Sequence, residues 1–252
     1  MLIEVIMRIL WINPIGTHEF DQQIIAHLSD YKRSDTLLDI VSFENSLPKN
    51  LEYHSYEVLV GPFILRAIRK ASVEHYDAAI VGCFYDVILH AAREISGKMM
   101  VIGPCQASVV TAANLGNSFS VLVGRRKWIP KMKRNILEYG YGGFLTSLRE
   151  VNLSVDDFDN NYELTYSKLL EQSRLAIEQD KAEVIILGCT AADKYYRDLQ
   201  KELPVPLLDS EVTALKFAEF CADLAISCGV LPSRLFGSEP PPFLDLDNFL
   251  KA

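Results

Sequence analysis

Two cysteines occupy near-equivalent settings 106 residues apart (189 − 83). Ala78-Ala79-Ile80-Val81-Gly82-Cys83-Phe84 reads as a buried strand ending in Gly-Cys, and so does Val184-Ile185-Ile186-Leu187-Gly188-Cys189-Thr190. In α/β folds the carboxyl ends of strands are where ligands bind. A free thiol ionises near pH 8.5, roughly, and a helix N-terminus lowers that value. One thiolate can remove an α-proton while a second thiol returns a proton to the opposite face. That is racemisation or epimerisation, and it requires two bases and a means of stabilising an enolate-like intermediate. The N–H groups at the start of a helix could hold a substrate oxygen for that purpose.

A single strand-end cysteine packs equally well as a small apolar residue. Two at matched positions, each after glycine, favour thiol chemistry. The other three cysteines lack this support. Cys105 follows Gly103-Pro104 and its equivalent by the 106-residue offset is Glu211, so it is read as packing at a strand end. Cys221 and Cys228 are seven apart on a helical pattern and are read as core. None of the five histidines pairs in sequence with either thiol. No CxxC pair or Cys/His cluster has metal-ligand spacing, so neither metal nor cofactor is expected.

The elements that must hold the two thiols form a repeated pattern. Arg8–Ile12 is a first strand closed by Asn13-Pro14, where proline cannot continue a central strand. Leu37–Val41 is a second strand, and 61–75 has helical spacing. The Cys83 strand follows, then a helical pattern over Phe84–Ser96 and a short strand Met99–Ile102. The second half repeats this with strand Phe119–Val123 before Gly124, helix Tyr166–Gln179, the Cys189 strand, a helix through Leu199, and strand Val205–Leu208. Gly103 follows Cys83 by 20 residues (103 − 83), and Asp209 follows Cys189 by 20 (209 − 189). The first strands align at an offset of about 112, pairing Arg8 with Ser120.

Alternating strands and helices imply an α/β fold of parallel sheets flanked by helices. The duplication implies two pseudo-symmetric lobes with the active site in the cleft between them. Residues 1–104 plus 210–235 would form the first lobe, with helix 211–227 packing back on it, and 105–209 the second. The Pro-rich, acidic segment 236–252 is expected as a C-terminal tail, either loose or laid on a neighbouring subunit.

Composition narrows the classes. The 252 residues are 49% hydrophobic and 23% charged, which suits a globular protein with a sizeable core. A formal net charge of −8 argues against nonspecific nucleic-acid binding. Basic residues cluster at Arg125-Arg126-Lys127 and Lys131-Lys133-Arg134, read as a solvated face. No run of about 18 apolar residues is present, so no membrane span is expected. The N-terminus carries Glu4 and Arg8 and lacks a signal-peptide pattern. Odd, sparse cysteines fit a reducing cytoplasm.

With those motifs in view, the chain resembles the aspartate/glutamate/hydantoin racemase superfamily over roughly 8–229. The resemblance rests on Arg8–Pro14, Gly82-Cys83-Phe84, Gly103-Pro104-Cys105-Gln106-Ala107, Phe119–Val123 and Leu187-Gly188-Cys189-Thr190. Asn13-Pro14 and Cys83-Phe84 look most like the hydantoin/allantoin racemase branch, whereas Gly188-Cys189-Thr190 is common to the amino-acid racemases. The resemblance implies two α/β lobes, no cofactor, and Cys83 and Cys189 as the acid/base pair. It further implies substrate contacts from Asn13, Phe84 and Thr190; Pro14, Tyr85, Gly124 and Arg125 are candidate substrate-binding positions beside them. Tyr85-Asp86-Val87 replaces the branch's usual Gly-Asp-Pro, and Gly124-Arg125-Arg126 replaces its threonines. The bulkier Tyr85 would re-aim the pocket, and Arg125 or Arg126 would meet an anionic group.

The expected function is therefore a racemase or epimerase of a small hydantoin- or amino-acid-like molecule, in a chain that could form a homo-oligomer. The alternatives are decarboxylation or cis–trans isomerisation of a small diacid in the same cleft, or a non-catalytic small-molecule binder.

Overall fold

The computed structural model describes residues 6–251. The strands are β1 (Met7–Ile12), β2 (Thr36–Val41), β3 (Ala78–Val81), β4 (Met100–Ile102), β5 (Phe119–Val123), β6 (Leu145–Glu150), β7 (Val184–Leu187) and β8 (Leu207–Asp209). The helices are α1 (Asp21–Ser29), α2 (His54–Val73), α3 (Leu89–Ile95), α4 (Pro104–Leu115), α5 (Ile129–Glu138), α6 (Asp157–Asn160), α7 (Tyr162–Glu178), α8 (Tyr196–Glu202), α9 (Ser210–Cys228) and α10 (Phe243–Lys251). Among the described residues no helix is long and apolar enough to cross a membrane.

The strands form two four-stranded parallel sheets of identical topology, β2-β1-β3-β4 and β6-β5-β7-β8. Every residue of β3, β5 and β7 is buried, as expected of strands covered by helices on both faces. The edge strands β2 and β6 are partly exposed, so their sequences carry polar residues such as Asp39, Arg149 and Glu150. Ile9 pairs with Ala78 in one sheet and Phe119 with Val184 in the other. The register therefore sets the first-strand offset at 110 (119 − 9), not the 112 expected, and matches Asn13 with Val123 and Pro14 with Gly124.

The chain divides into two compact units. Unit 1 comprises the residues up to Gly82, Val87–Gly103 and Leu215 onward. Unit 2 comprises Cys83–Asp86 and Pro104–Ala214. Cys83 thus leaves the unit that carries its own strand and joins the unit that contains Cys189.

Within unit 1, α9 is anchored by Glu219, which is 3% exposed. Its Oε1 accepts hydrogen bonds from Arg33 N at 2.7 Å and Thr36 Oγ1 at 2.9 Å. The C-terminal segment carries α10, joined to α2 by a two-pronged pair, Arg69 Nε to Asp247 Oδ1 at 2.8 Å and Nη2 to Oδ2 at 3.1 Å. The Arg69 guanidinium also lies 4.3 Å from the centre of the Phe243 ring, a cation–π contact that adds to the pair.

Some helix boundaries differ from those read off the sequence. The helix expected from Phe84 begins only at Leu89, because Asp86 and Ile88 adopt left-handed φ values of 49° and 48°. L-residues with side chains rarely hold that conformation without tertiary support. Helices α2 and α7 start earlier than expected, at His54 and Tyr162. In α7, Asn161 Oδ1 accepts the Leu164 amide at 3.0 Å as an N-cap, satisfying a donor otherwise left without a partner.

Candidate active site

Each Gly-Cys motif extends its central strand by one residue and then turns. Gly82 N donates to Ile12 O at 2.8 Å, and Gly188 N donates to Leu122 O at 2.8 Å. Neither site admits a side chain. A Cβ on Gly82 would lie 2.5 Å from Trp11 Nε1, and one on Gly188 would lie 2.6 Å from Val121 Cγ1 and 2.7 Å from Leu122 O. The glycines are required by close approach to the neighbouring strand, in the same way in both sheets.

The turns after them also match. Asp86 N donates to Cys83 O at 2.9 Å, and Ala192 N donates to Cys189 O at 3.1 Å, with Asp86 and Ala192 themselves 106 apart (192 − 86). Beyond this point they diverge. After Cys189 the chain continues into a 3-10 turn, Thr190–Tyr195, and then α8. After Cys83 it passes through the left-handed Asp86 and Ile88. Cys83 therefore does not sit at a helix N-terminus, contrary to expectation, and Cys189 precedes a 3-10 turn.

The thiols differ in access. Cys83 and Cys189 are both partly exposed, whereas Cys105 is fully buried. Burial pushes the Cys105 thiol well above its ordinary pKa, with smaller contributions from Asp86 and Cys83. At neutral pH it is a protonated thiol, and thiols in that state are poor nucleophiles. Iodoacetamide at pH 8 is expected to alkylate Cys83 and Cys189 in the folded protein and to spare Cys105, as peptide mass mapping would report. Cys228 is exposed rather than core, because it ends α9, and Cys221 is intermediate.

The remaining expected site residues are placed as follows. Asn13 is 6% exposed and its Nδ2 donates to Ser42 Oγ at 3.0 Å. Pro14 and Gly124 are buried. Phe84 and Tyr85 are 2% and 4% exposed, so their rings are packed in protein. Thr190 is half-buried. Arg125 is half-buried and within electrostatic reach of Asp157, whose carboxyl is held below its ordinary range first by Ser154 and last by Arg125. Arg126 is exposed.

Two acids escaped the sequence reading. Asp86, 5% exposed, accepts hydrogen bonds from Cys105 N and Gln106 N, both at 2.9 Å, and from Tyr139 Oη at 2.8 Å. Glu211, 2% exposed, is held well above the usual carboxyl range by burial, then by Asp193 and Asp209. The sequence signal for Asp86 was its position three residues after the cysteine. Glu211 was visible only as the offset partner of Cys105.

Two copies of one parallel four-strand unit, each closing on a tight Gly-Cys turn with a partly exposed thiol, define a duplicated α/β protein with paired strand-end thiols. The chain belongs to the Asp/Glu/Hydantoin racemase family, whose sequence profile matches residues 9–218, and is an isomerase of the racemase class. It is 31% identical over 243 residues to a hydantoin racemase of Pseudomonas sp. (strain NS671), covering 96% of this chain and 97% of that protein. A hydantoin racemase of Rhizobium meliloti is also 31% identical, over 84% of this chain and 88% of its own. The fold is shared with an allantoin racemase from Klebsiella pneumoniae, with a TM-score of 0.85 at 24% identity over 94% of each chain.

Proposed function

We propose that the protein racemises a 5-monosubstituted hydantoin or a close relative, without a cofactor, using Cys83 and Cys189 as a two-base pair. The substrate class is taken from the relatives that are 31% identical over most of the chain. The observation that carries the mechanism is the matched register of the two Gly-Cys turns, with both thiols partly exposed and both in unit 2. In one direction the Cys83 thiolate takes the C5 proton and the Cys189 thiol returns one to the opposite face. The enzyme is left with Cys83 protonated and Cys189 as thiolate, the state that accepts the other enantiomer. The first N–H groups beyond each cysteine, at Phe84 and Thr190, and the Thr190 hydroxyl would donate to the enolate oxygen.

The test is a proton-exchange screen in deuterated water over 5-substituted hydantoins, allantoin and free amino acids. Loss of the C5 proton signal of a hydantoin, with loss of optical rotation, is the expected result. Exchange confined to amino acids would move the substrate to the other branch, and release of carbon dioxide from an arylmalonate would favour decarboxylation.

Arg125 is proposed to meet an anionic substituent. Arg125→Ala should raise KM for a carboxylate-bearing hydantoin by about tenfold or more, the loss of one charge-assisted hydrogen bond. KM for an uncharged 5-alkyl hydantoin should stay within twofold. An unchanged KM for the carboxylate substrate would remove Arg125 from the site.

A further inference from the structure

Helix α9 is capped locally. Asp209 Oδ1 accepts the amides of Glu211 and Val212 at 2.7 and 3.2 Å. The residue equivalent to Asp209 before α4 is Gly103 (209 − 106), which has no side chain to cap with. The amides at the start of α4 are taken up instead by Asp86, the last residue of the Cys83 turn. Its Oδ2 also accepts the Tyr139 hydroxyl. One residue earlier, Tyr85 O accepts Asn135 Nδ2 at 2.7 Å, from a side chain 7% exposed. Two neighbouring elements, α4 and the α5 region, therefore fix residues 83–86 by four side-chain hydrogen bonds, and the turn bond from Asp86 N to Cys83 O is a fifth.

We propose that Asp86 is the positioning residue of the Cys83 thiol. It locks a left-handed backbone that the sequence would not otherwise hold, and so fixes where Cys83 points. Its negative charge is shared among two helix N–H groups and a phenol, which limits how strongly it opposes a thiolate three residues away. The position equivalent to Asp86 in the Cys189 turn is Ala192 (86 + 106), which has no carboxylate, and that turn runs directly into a 3-10 helix. The two thiols are thus held by different devices, and removing Asp86 should affect one side of the reaction.

The proposal rests on the two-thiol reading, and its test has one arm that does not. In the full-length protein, Asp86→Asn keeps the size but offers one acceptor where two amides need two. It also removes the anion at the end of the Cys83 turn. Iodoacetamide at pH 7 should then alkylate Cys83 about tenfold faster, because removing a nearby like charge favours the thiolate, while Cys189 changes less than twofold and Cys105 stays unlabelled. Labelling of Cys105 would report unfolding, in which case Tyr139→Phe replaces it; it keeps the Asp86 anion but removes one of the three donors that share its charge, and should slow Cys83 alone by a smaller factor. An unchanged Cys83 rate in the folded variants, or an equal change in both thiols, overturns the proposal whatever the substrate.

The second arm follows C5-proton exchange of each enantiomer of 5-benzylhydantoin above the uncatalysed rate. Asp86→Asn should slow exchange of one enantiomer at least tenfold and leave the other within twofold. Equal slowing of both would assign Asp86 a general structural role instead. Absence of exchange with the unaltered protein would instead contradict the hydantoin reading, and the alkylation arm would still decide the role of Asp86.

Discussion

Serine at Cys83 or at Cys189 lowers racemisation by about 10²–10⁴-fold, the usual contribution of one positioned acid or base. A hydroxyl fills nearly the same space but cannot supply an anion near neutral pH. The backbone bonds at Gly82, Asp86, Gly188 and Ala192 involve neither sulfur, so both variants should fold and melt within a few degrees of the parent. Polarimetry on either pure enantiomer measures the effect. The double variant should be no slower than the slower single one by more than a few-fold, because either loss already breaks the two-base cycle. Substantial racemisation by either single variant would mean that one thiol suffices.

Gly188→Ala should be the most damaging change away from the sulfurs. The new methyl meets Val121 Cγ1 and the carbonyl oxygen of Leu122. That oxygen cannot retreat without breaking its 2.8 Å bond from Gly188 N. Forced overpacking costs about 1–3 kcal/mol, which lowers the melting temperature by roughly 2–12 °C in a chain of this size. The same strain displaces Cys189, the next residue, so kcat should fall more than tenfold even at temperatures where the variant is folded. Gly143→Ala is the control, since a Cβ there meets nothing within 4 Å. Calorimetry and initial rates on the two variants separate the effects; equal behaviour would show that strand approach at Gly188 is not tight.

The central strands and both Gly-Cys turns were legible because buried parallel strands read as unbroken apolar runs ending in glycine. The sheet register then tightened the duplication to an offset of 110 for the first strands. The edge strand β6 was not legible, since Leu145–Glu150 is half-exposed and its polar residues interrupt the pattern. Helix α4 was missed for the opposite reason. Most of its residues are apolar or small and half are buried, so it shows little one-sided periodicity. The start of α3 was misplaced because the backbone at Asp86 is fixed by Cys105, Gln106 and Tyr139, partners 19 to 53 residues away. No local pattern encodes that. Cys83 and Cys189 stood out as candidates because they repeat; Asp86 did not, because its role has no copy in the second half.

The most direct measurement is C5-proton exchange in deuterated water, run separately on each enantiomer of 5-benzylhydantoin with the Cys83→Ser and Cys189→Ser variants. Two opposed bases require a crossed result: each variant retains exchange of one enantiomer only, and the retained enantiomer differs between them. Exchange of the same enantiomer by both variants, or of both enantiomers by either, would contradict the assignment of Cys83 and Cys189 to opposite faces of one substrate.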